Sequence, residues 1–262
     1  MYYFHMWSGG KDSTAGVILD HIYGLPPSTI VFSEVVFDKK RGISGEWPEH
    51  IDFVKNKAKP VFENWGYKVE IISAEKDYLD LFFHTIKHSS NEKKNGKIAG
   101  FLLGGKCAGN SRLKIRPIRD YFKSLNLKND EYIQYVGIAA DEPIRLERLR
   151  GTNEISLLER YGYTEKKAFE LCKEYDLLSP VYKIAKRNGC WFCPNATYQE
   201  MAYIKRTHPE LWEKLYRLSK EKNMVSTAFK YTESFDDVDK KISKINANLE
   251  IETAQLSLFD FL

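Results

Sequence analysis

"MWSGGKDSTAG", residues 6–16, sets the hydroxyls of Ser8, Ser13 and Thr14, the Lys11 ammonium and the Gly9-Gly10 pair between an apolar start and an apolar helical pattern. Upstream, Tyr2 to Trp7 is short, aromatic and β-prone. Downstream, from Asp12 to Tyr23, Ala15, Val17, Ile18, Leu19 and Ile22 recur at helical spacing. The order is strand, glycine turn, helix. A glycine pair lets the backbone turn tightly and present its N–H groups, and a helix starting near Asp12 directs its positive end into the same space. The stretch therefore reads as an anion nest. It matches neither G-x-x-x-x-G-K-[ST] nor G-x-G-x-x-G. The plainer alternative is an ordinary strand-to-helix turn capped by Asp12 or Ser8.

The alternation continues outward. Ser28 to Phe37 reads as a buried strand, Glu49 to Trp65 as a helix, Lys68 to Ser73 as a strand and Tyr78 to Lys87 as a helix. After the polar loop "NEKKNGK" (91–97) and a Gly-rich stretch entering a basic helix, Tyr132 to Ala140 is the next strand. Beyond Gly151 strand signals stop, and Glu165–Tyr175 and Tyr198–Lys222 read as helices. The expected architecture is α/β, a Rossmann-like parallel sheet with a smaller helical C-terminal part. The expected division is a core domain over 1–150, a helical cysteine-bearing region over 151–225 and a weakly structured tail over 226–262 that ends in an apolar cluster.

Composition narrows the class. With 262 residues the chain can bury a substantial core. Its 40 Lys and Arg against 36 Asp and Glu leave a net charge of +4, too mild to demand a nucleic-acid partner by itself. No apolar run approaches the roughly 20 residues of a membrane helix, and no signal-peptide pattern opens the chain. A cytoplasmic protein is expected. In a reducing compartment its four cysteines, Cys107, Cys172, Cys190 and Cys193, suit a metal or redox site better than disulfides.

The loop "SGGKDS" (8–13) resembles the PP-loop of the adenine nucleotide α-hydrolase superfamily. The resemblance implies that Ser8, Gly9, Gly10, Lys11, Asp12 and Ser13 bind ATP. It further implies cleavage between the α and β phosphates, which activates a substrate oxygen as an adenylate. Lys11 and the backbone donors would stabilise departing pyrophosphate, with Mg²⁺ bridging its oxygens and Asp12 a candidate for orienting that ion. Asp12 is equally a candidate helix cap.

Further blocks resemble the phosphoadenosine phosphosulfate reductase-like branch, which includes enzymes similar to the DNA phosphorothioation protein. They are "SGEWPEHIDFV" (44–54), "CAGNSRLKIRPIRDYF" (107–122), "VGIAADEPIRLERL" (136–149) and "GCWFCPN" (189–195). Two departures favour an ATP-consuming enzyme over a sulfonucleotide reductase. No cysteine follows Cys193, whereas true reductases carry one in a C-terminal Glu-Cys-Gly-x-His segment, and the loop here is complete. Within these blocks Arg112, Lys114, Arg116 and Arg119 cluster as a candidate phosphate-binding surface, with a solvated helix face as the alternative. Glu46, Asp141, Glu142 and Arg145 are candidate substrate-binding residues by the same resemblance, and acids after strand ends suit Mg²⁺ or a ribose.

Cys190 and Cys193 have the spacing that brings two thiolates to one metal. With Cys107 and Cys172 they form a candidate ligand set for a [4Fe–4S] cluster, which the Cys-Pro step and the branch favour, or for zinc. Redox use or simple burial remain open, and Cys172 in "AFELCKEY" also fits a core helix. Finally "QLSLF" (255–259) matches the peptide by which bacterial proteins bind the DNA sliding clamp. Gln255, Leu256, Leu258 and Phe259 are its candidate contacts, unless these residues fold onto the protein's own core. The sequence thus points to a PP-loop ATP pyrophosphatase that adenylates a nucleotide or nucleic acid, with sulfur transfer as the leading chemistry. A sulfonucleotide reductase and a non-catalytic, clamp-tethered nucleotide-binding subunit are the alternatives.

Overall fold

The structure, a computed structural model, describes residues 1–102, 105 and 107–259, with residues 250–259 described by backbone only. The chain forms two compact units, one of residues 1–75 and 112–189, the other of 76–111 and 190–262.

The first unit is built on five parallel strands: β1 (Tyr2–Trp7), β2 (Thr29–Glu34), β3 (Lys68–Ser73), β4 (Tyr132–Val136) and β5 (Glu154–Ile155), in the order β3-β2-β1-β4-β5. Strands covered on both faces must be apolar throughout, and Ile30, Val31 and Phe32 in β2 are all buried. On one face α1 (Lys11–Tyr23) and α2 (Glu165–Glu174) pack together, placing Val17, Ile18, Leu19, Leu171 and Cys172 in one core with Trp7 and Phe32. On the other, Phe122 stacks on Tyr132 with ring centroids 4.4 Å apart and meets Phe4 edge-on at 5.0 Å. Because the connections leave β1 and β4 in opposite directions, their carboxyl ends bound the crevice where open α/β sheets take ligands.

Two helices run through a π-helical stretch, Phe53–Ala58 and Asn110–Ile115. Each continues as an α-helix whose second residue is proline, Pro60 and Pro117. A proline withdraws one amide from the i−4 ladder, and the wider π turn accommodates the missing bond.

In the second unit α3 (Tyr198–Thr207), α4 (Pro209–Ser219) and α5 (Phe235–Phe259) surround an aromatic core of Phe101, Trp212, Phe229 and Phe235. A short hairpin, Ala228–Lys230 with Glu233–Ser234, precedes α5. Among the described residues no helix is long and apolar enough to cross a membrane.

The architecture agrees with the α/β expectation, but several boundaries differ. The chain does not divide at residue 150, because β5 extends the sheet and α2 covers α1. Strand pairing also continues past Gly151, in segments of two or three residues too short to show a period. Helix Tyr198–Lys222 is two helices, because Pro209 cannot continue the ladder. The helix expected over Tyr78–Lys87 ends at Phe82. Residues 235–259, expected as loose tail, are the helix α5. The peptide 255–259 belongs to that helix, and the side chains of Gln255, Leu256, Leu258 and Phe259 lie outside the described residues.

Candidate functional site

The loop between β1 and α1 sits at the crevice. Gly9 turns with φ +70°, in the left-handed region open to glycine, and a Cβ there would lie 2.6 Å from His50 Cε1. Gly10 is the N-cap of α1, with no side-chain cap bond, so neither Ser8 nor Asp12 caps the helix. Instead the serines brace the turn. Ser13 Oγ donates to Gly10 O at 3.1 Å and accepts the Ser8 amide at 3.1 Å, and the Gly10 amide donates to Ser8 Oγ at 3.3 Å.

Behind the loop is a buried polar relay. His50 is fully buried, and its Nε2 lies 3.0 Å from Ser8 O; a carbonyl only accepts, so Nε2 carries the hydrogen. Nδ1 then accepts from Ser179 Oγ at 2.8 Å. Asn188 Nδ2 donates to the same Ser8 carbonyl at 2.7 Å. Burial pushes the His50 pKa below its ordinary 6.5, with Lys114 adding to this and Glu46 and the Ser8 bond opposing it. An unfolded histidine therefore binds its proton at higher pH than the folded one. The His50 contribution is complete above pH 6.5, and stability is lost as pH falls from there toward the folded-state value. The urea midpoint is expected to fall between pH 7 and about pH 5.5. In His50→Gln that component of the pH slope should vanish, and an unchanged slope would place its origin elsewhere.

In front of the loop lies a polar cleft of about 410 Å³. It is lined by Ser8, Gly10, Lys11, Asp12 and Ser13 on one side and by Tyr182, Lys186, Arg187 and Asn188 on the other. Met6 of β1, Gly137 just after β4, Arg145 and Glu165 complete the lining. A Cβ on Gly137 would stand 2.4 Å from Ser13 N and 2.7 Å from Ser13 Cα, so its absence leaves the first turn of α1 uncovered. Lys11 Nζ donates to Asp12 Oδ2 at 2.8 Å and Glu165 Oε2 at 2.9 Å. Burial alone would lower the Lys11 pKa, but these two carboxylates outweigh it and raise it. Burial also pushes the Asp12 carboxyl upward against the pull of Lys11. Four cations against two carboxylates, at the N-terminus of a helix, suit a polyanionic ligand.

Of the other sequence candidates, Arg145 reaches the cleft, held by an ion pair with Glu142, whose other oxygen accepts the Ala139 amide at 3.1 Å. Asp141 accepts the Glu165 amide at 3.0 Å and so sets the start of α2. Glu46 is buried and does not line the cleft. It accepts the Val35 amide at 3.2 Å and pairs with Lys114 at 3.1 Å. Arg112, Arg116 and Arg119 are exposed, and none lines the cleft.

Of the expected four-cysteine ligand set, Cys172 lies in the core of the first unit. Cys172 is fully buried in α2 and its Sγ donates to Lys11 O at 3.1 Å. Burial pushes the thiol up to about 12. Cys172 is a core residue that also anchors the start of α1. Among the described residues no group of three or more His, Cys, Asp or Glu side chains is placed to hold a metal ion. In the second unit the Cys190 carbonyl accepts the Cys193 amide at 3.1 Å, closing a turn. That turn is followed by carbonyls held by Lys230, whose Nζ donates to Pro194 O at 3.1 Å and Ala196 O at 2.6 Å.

Sequence reading missed the second wall of the cleft, Tyr182 to Asn188, as well as Gly137, Glu165, His50 and Lys230. The only local signal for that wall was the basic pair Lys186-Arg187 just before "NGC".

No family model matches this chain, and no curated protein matches it. Among solved structures the chain is similar to the crystal structure of phosphoadenylyl-sulfate (PAPS) reductase from Candida auris in a phosphate complex. The identity is 14%, the TM-score 0.45, and the match covers 73% of this chain and 82% of that one.

Proposed function

We propose that the first unit binds ATP by its phosphates and cleaves it between the α and β phosphorus atoms, adenylating a nucleotide or nucleic acid for sulfur transfer. A substrate oxygen attacks the α phosphorus, the α–β bridge breaks, and pyrophosphate leaves with the bonding electrons. A sulfur nucleophile then displaces AMP from the activated carbon. The observation that carries this reading is the start of α1, which no side chain of its own N-cap closes, facing a cleft with Lys11, Arg145, Lys186 and Arg187 on its walls.

Each residue then has a task. The loop amides and Lys11 hold the β and γ phosphates and balance the charge that grows on pyrophosphate as it departs. Arg145, Lys186 and Arg187 neutralise the remaining phosphoryl charge from the opposite wall. Asp12 and Glu165, whose carboxylates already converge on Lys11 Nζ, are the residues that would hold Mg²⁺, which commonly takes one or two carboxylates together with substrate phosphates. Bound there, Mg²⁺ would supply Lewis-acid stabilisation of the leaving group. The exposed Arg112, Arg116 and Arg119 support a phosphate-bearing acceptor.

The test is product analysis with ATP, Mg²⁺ and candidate nucleotides, DNA or tRNA. AMP or an adenylylated acceptor with pyrophosphate is expected. ADP with orthophosphate would refute the cleavage site, and turnover of phosphoadenosine phosphosulfate without ATP would establish a reductase instead.

A further inference from the structure

Tyr182 stands on the short helical turn Pro180–Lys183, opposite the loop. Its phenolic oxygen accepts the Lys11 amide at 2.8 Å, the first amide of α1. It also lies 3.2 Å from where a Gly10 side chain would begin. The turn is tied from behind, because Ser179, its N-cap, accepts the Val181 amide and bonds His50 at 2.8 Å. The phenol is therefore positioned by the same relay that braces the loop.

A phenol has one hydrogen to donate, and an amide donor leaves that hydrogen unspent. Among the described residues the Tyr182 hydroxyl has no acceptor, although it faces a cleft walled by Lys11, Arg145, Lys186 and Arg187. Burial pushes its pKa upward, so the hydrogen is retained at neutral pH. A half-buried donor without an acceptor, in a cleft where four cations outnumber the Asp12 and Glu165 carboxylates, suits an anionic acceptor.

Resting on the ATP-site reading above, we propose that Tyr182 is a ligand-binding residue whose hydroxyl, while accepting the Lys11 amide, donates to a phosphoryl oxygen of the bound polyphosphate. It thereby extends the anion nest from the loop to residues 180–188. The phenol passes the polarity of the helix N-terminus to the ligand and fixes where the phosphoryl group sits relative to Lys11.

The probe is inorganic pyrophosphate, titrated calorimetrically into the full chain. Tyr182→Phe keeps the ring and its edge contact with Phe169 at 6.1 Å, so the chain should stay folded, its unliganded thermal midpoint lowered only by the loss of the bond to the Lys11 amide. Pyrophosphate affinity should fall about tenfold or more, as for a hydrogen bond to a charged group. Unchanged affinity would overturn the proposal, and tighter binding would mean that the hydroxyl merely fills the phosphoryl seat and must be expelled. A second variant carries 3-fluorotyrosine at position 182, whose more acidic phenol ionises at lower pH. Its affinity should collapse at a less alkaline pH than that of the wild type, and coincident pH profiles would also overturn the proposal. Should the wild type itself not bind pyrophosphate, the ATP-site reading falls and this inference with it; binding indifferent to Tyr182 removes this inference alone.

Discussion

Lys11→Ala is expected to lower pyrophosphate release from ATP by about 10² to 10³-fold, the usual cost of deleting one group that meets developing charge. Two effects act together. The variant loses the ammonium that opposes charge on the leaving group, and it strands Asp12 and Glu165, which now share Lys11 Nζ at 2.8 and 2.9 Å. Those carboxylates would then repel each other and any entering polyphosphate. The loss should appear in calorimetric pyrophosphate affinity as well as in turnover. The fold should persist with a loss of about 1 to 2 kcal/mol, because Glu165 is half exposed and its pair contributes little, while Asp12, mostly buried, loses its partner. Unchanged turnover would remove the phosphate-site assignment, and a collapsed fold would show that Lys11 is structural.

Gly137→Ala should produce the largest stability loss of any single methyl addition around the cleft, about 3 kcal/mol or more, at the upper end for overpacking. The new Cβ would meet Ser13 N at 2.4 Å, Ser13 Cα at 2.7 Å and Asp12 C at 2.9 Å, all backbone atoms that no rotamer change can move. Relief requires the start of α1 to shift, yet that turn is held by Trp7 Nε1 on Thr14 Oγ1 at 3.0 Å and by Cys172 Sγ on Lys11 O. The same methyl covers the Ser13 amide, so pyrophosphate affinity should fall along with the urea midpoint. A variant as stable as the wild type would contradict the close approach of β4 to α1.

The pattern around Ser8–Ser13 was legible because it is local: a strand, two glycines and a helix within 22 residues, Tyr2 to Tyr23. Lys11, Asp12 and both serines occupy the positions that pattern implies. Cys172 shows the limit of such reading. Its spacing in an amphipathic helix was compatible with a ligand or a core residue, and only its burial and its bond to Lys11 O assign it to the core. Glu46 and Lys114, read as substrate-site candidates, pair with each other, with Glu46 buried and Lys114 partly exposed, and neither lines the cleft. Asp141 and Glu142 act one step back from the cleft, on Glu165 and Arg145. Gly137 gave no signal, because one glycine after a strand resembles any other until its neighbours in space are known.

From residue order alone come the α/β class, the parallel alternation, the β1 loop as the candidate anion site and its basic character. These rest on periodicities and turn chemistry acting over a few residues, where backbone hydrogen bonding and side-chain direction follow directly from neighbours in the chain. The second wall of the cleft, the role of Cys172, the approach of Gly137 and the division into two units were decided by the fold. Tyr182 meets the Lys11 amide across 171 positions of sequence and Cys172 meets the Lys11 carbonyl across 161. Such partners share no local pattern; they are brought together because the β3-β2-β1-β4-β5 order and the packing of α2 on α1 bury the apolar faces of both helices and sheet.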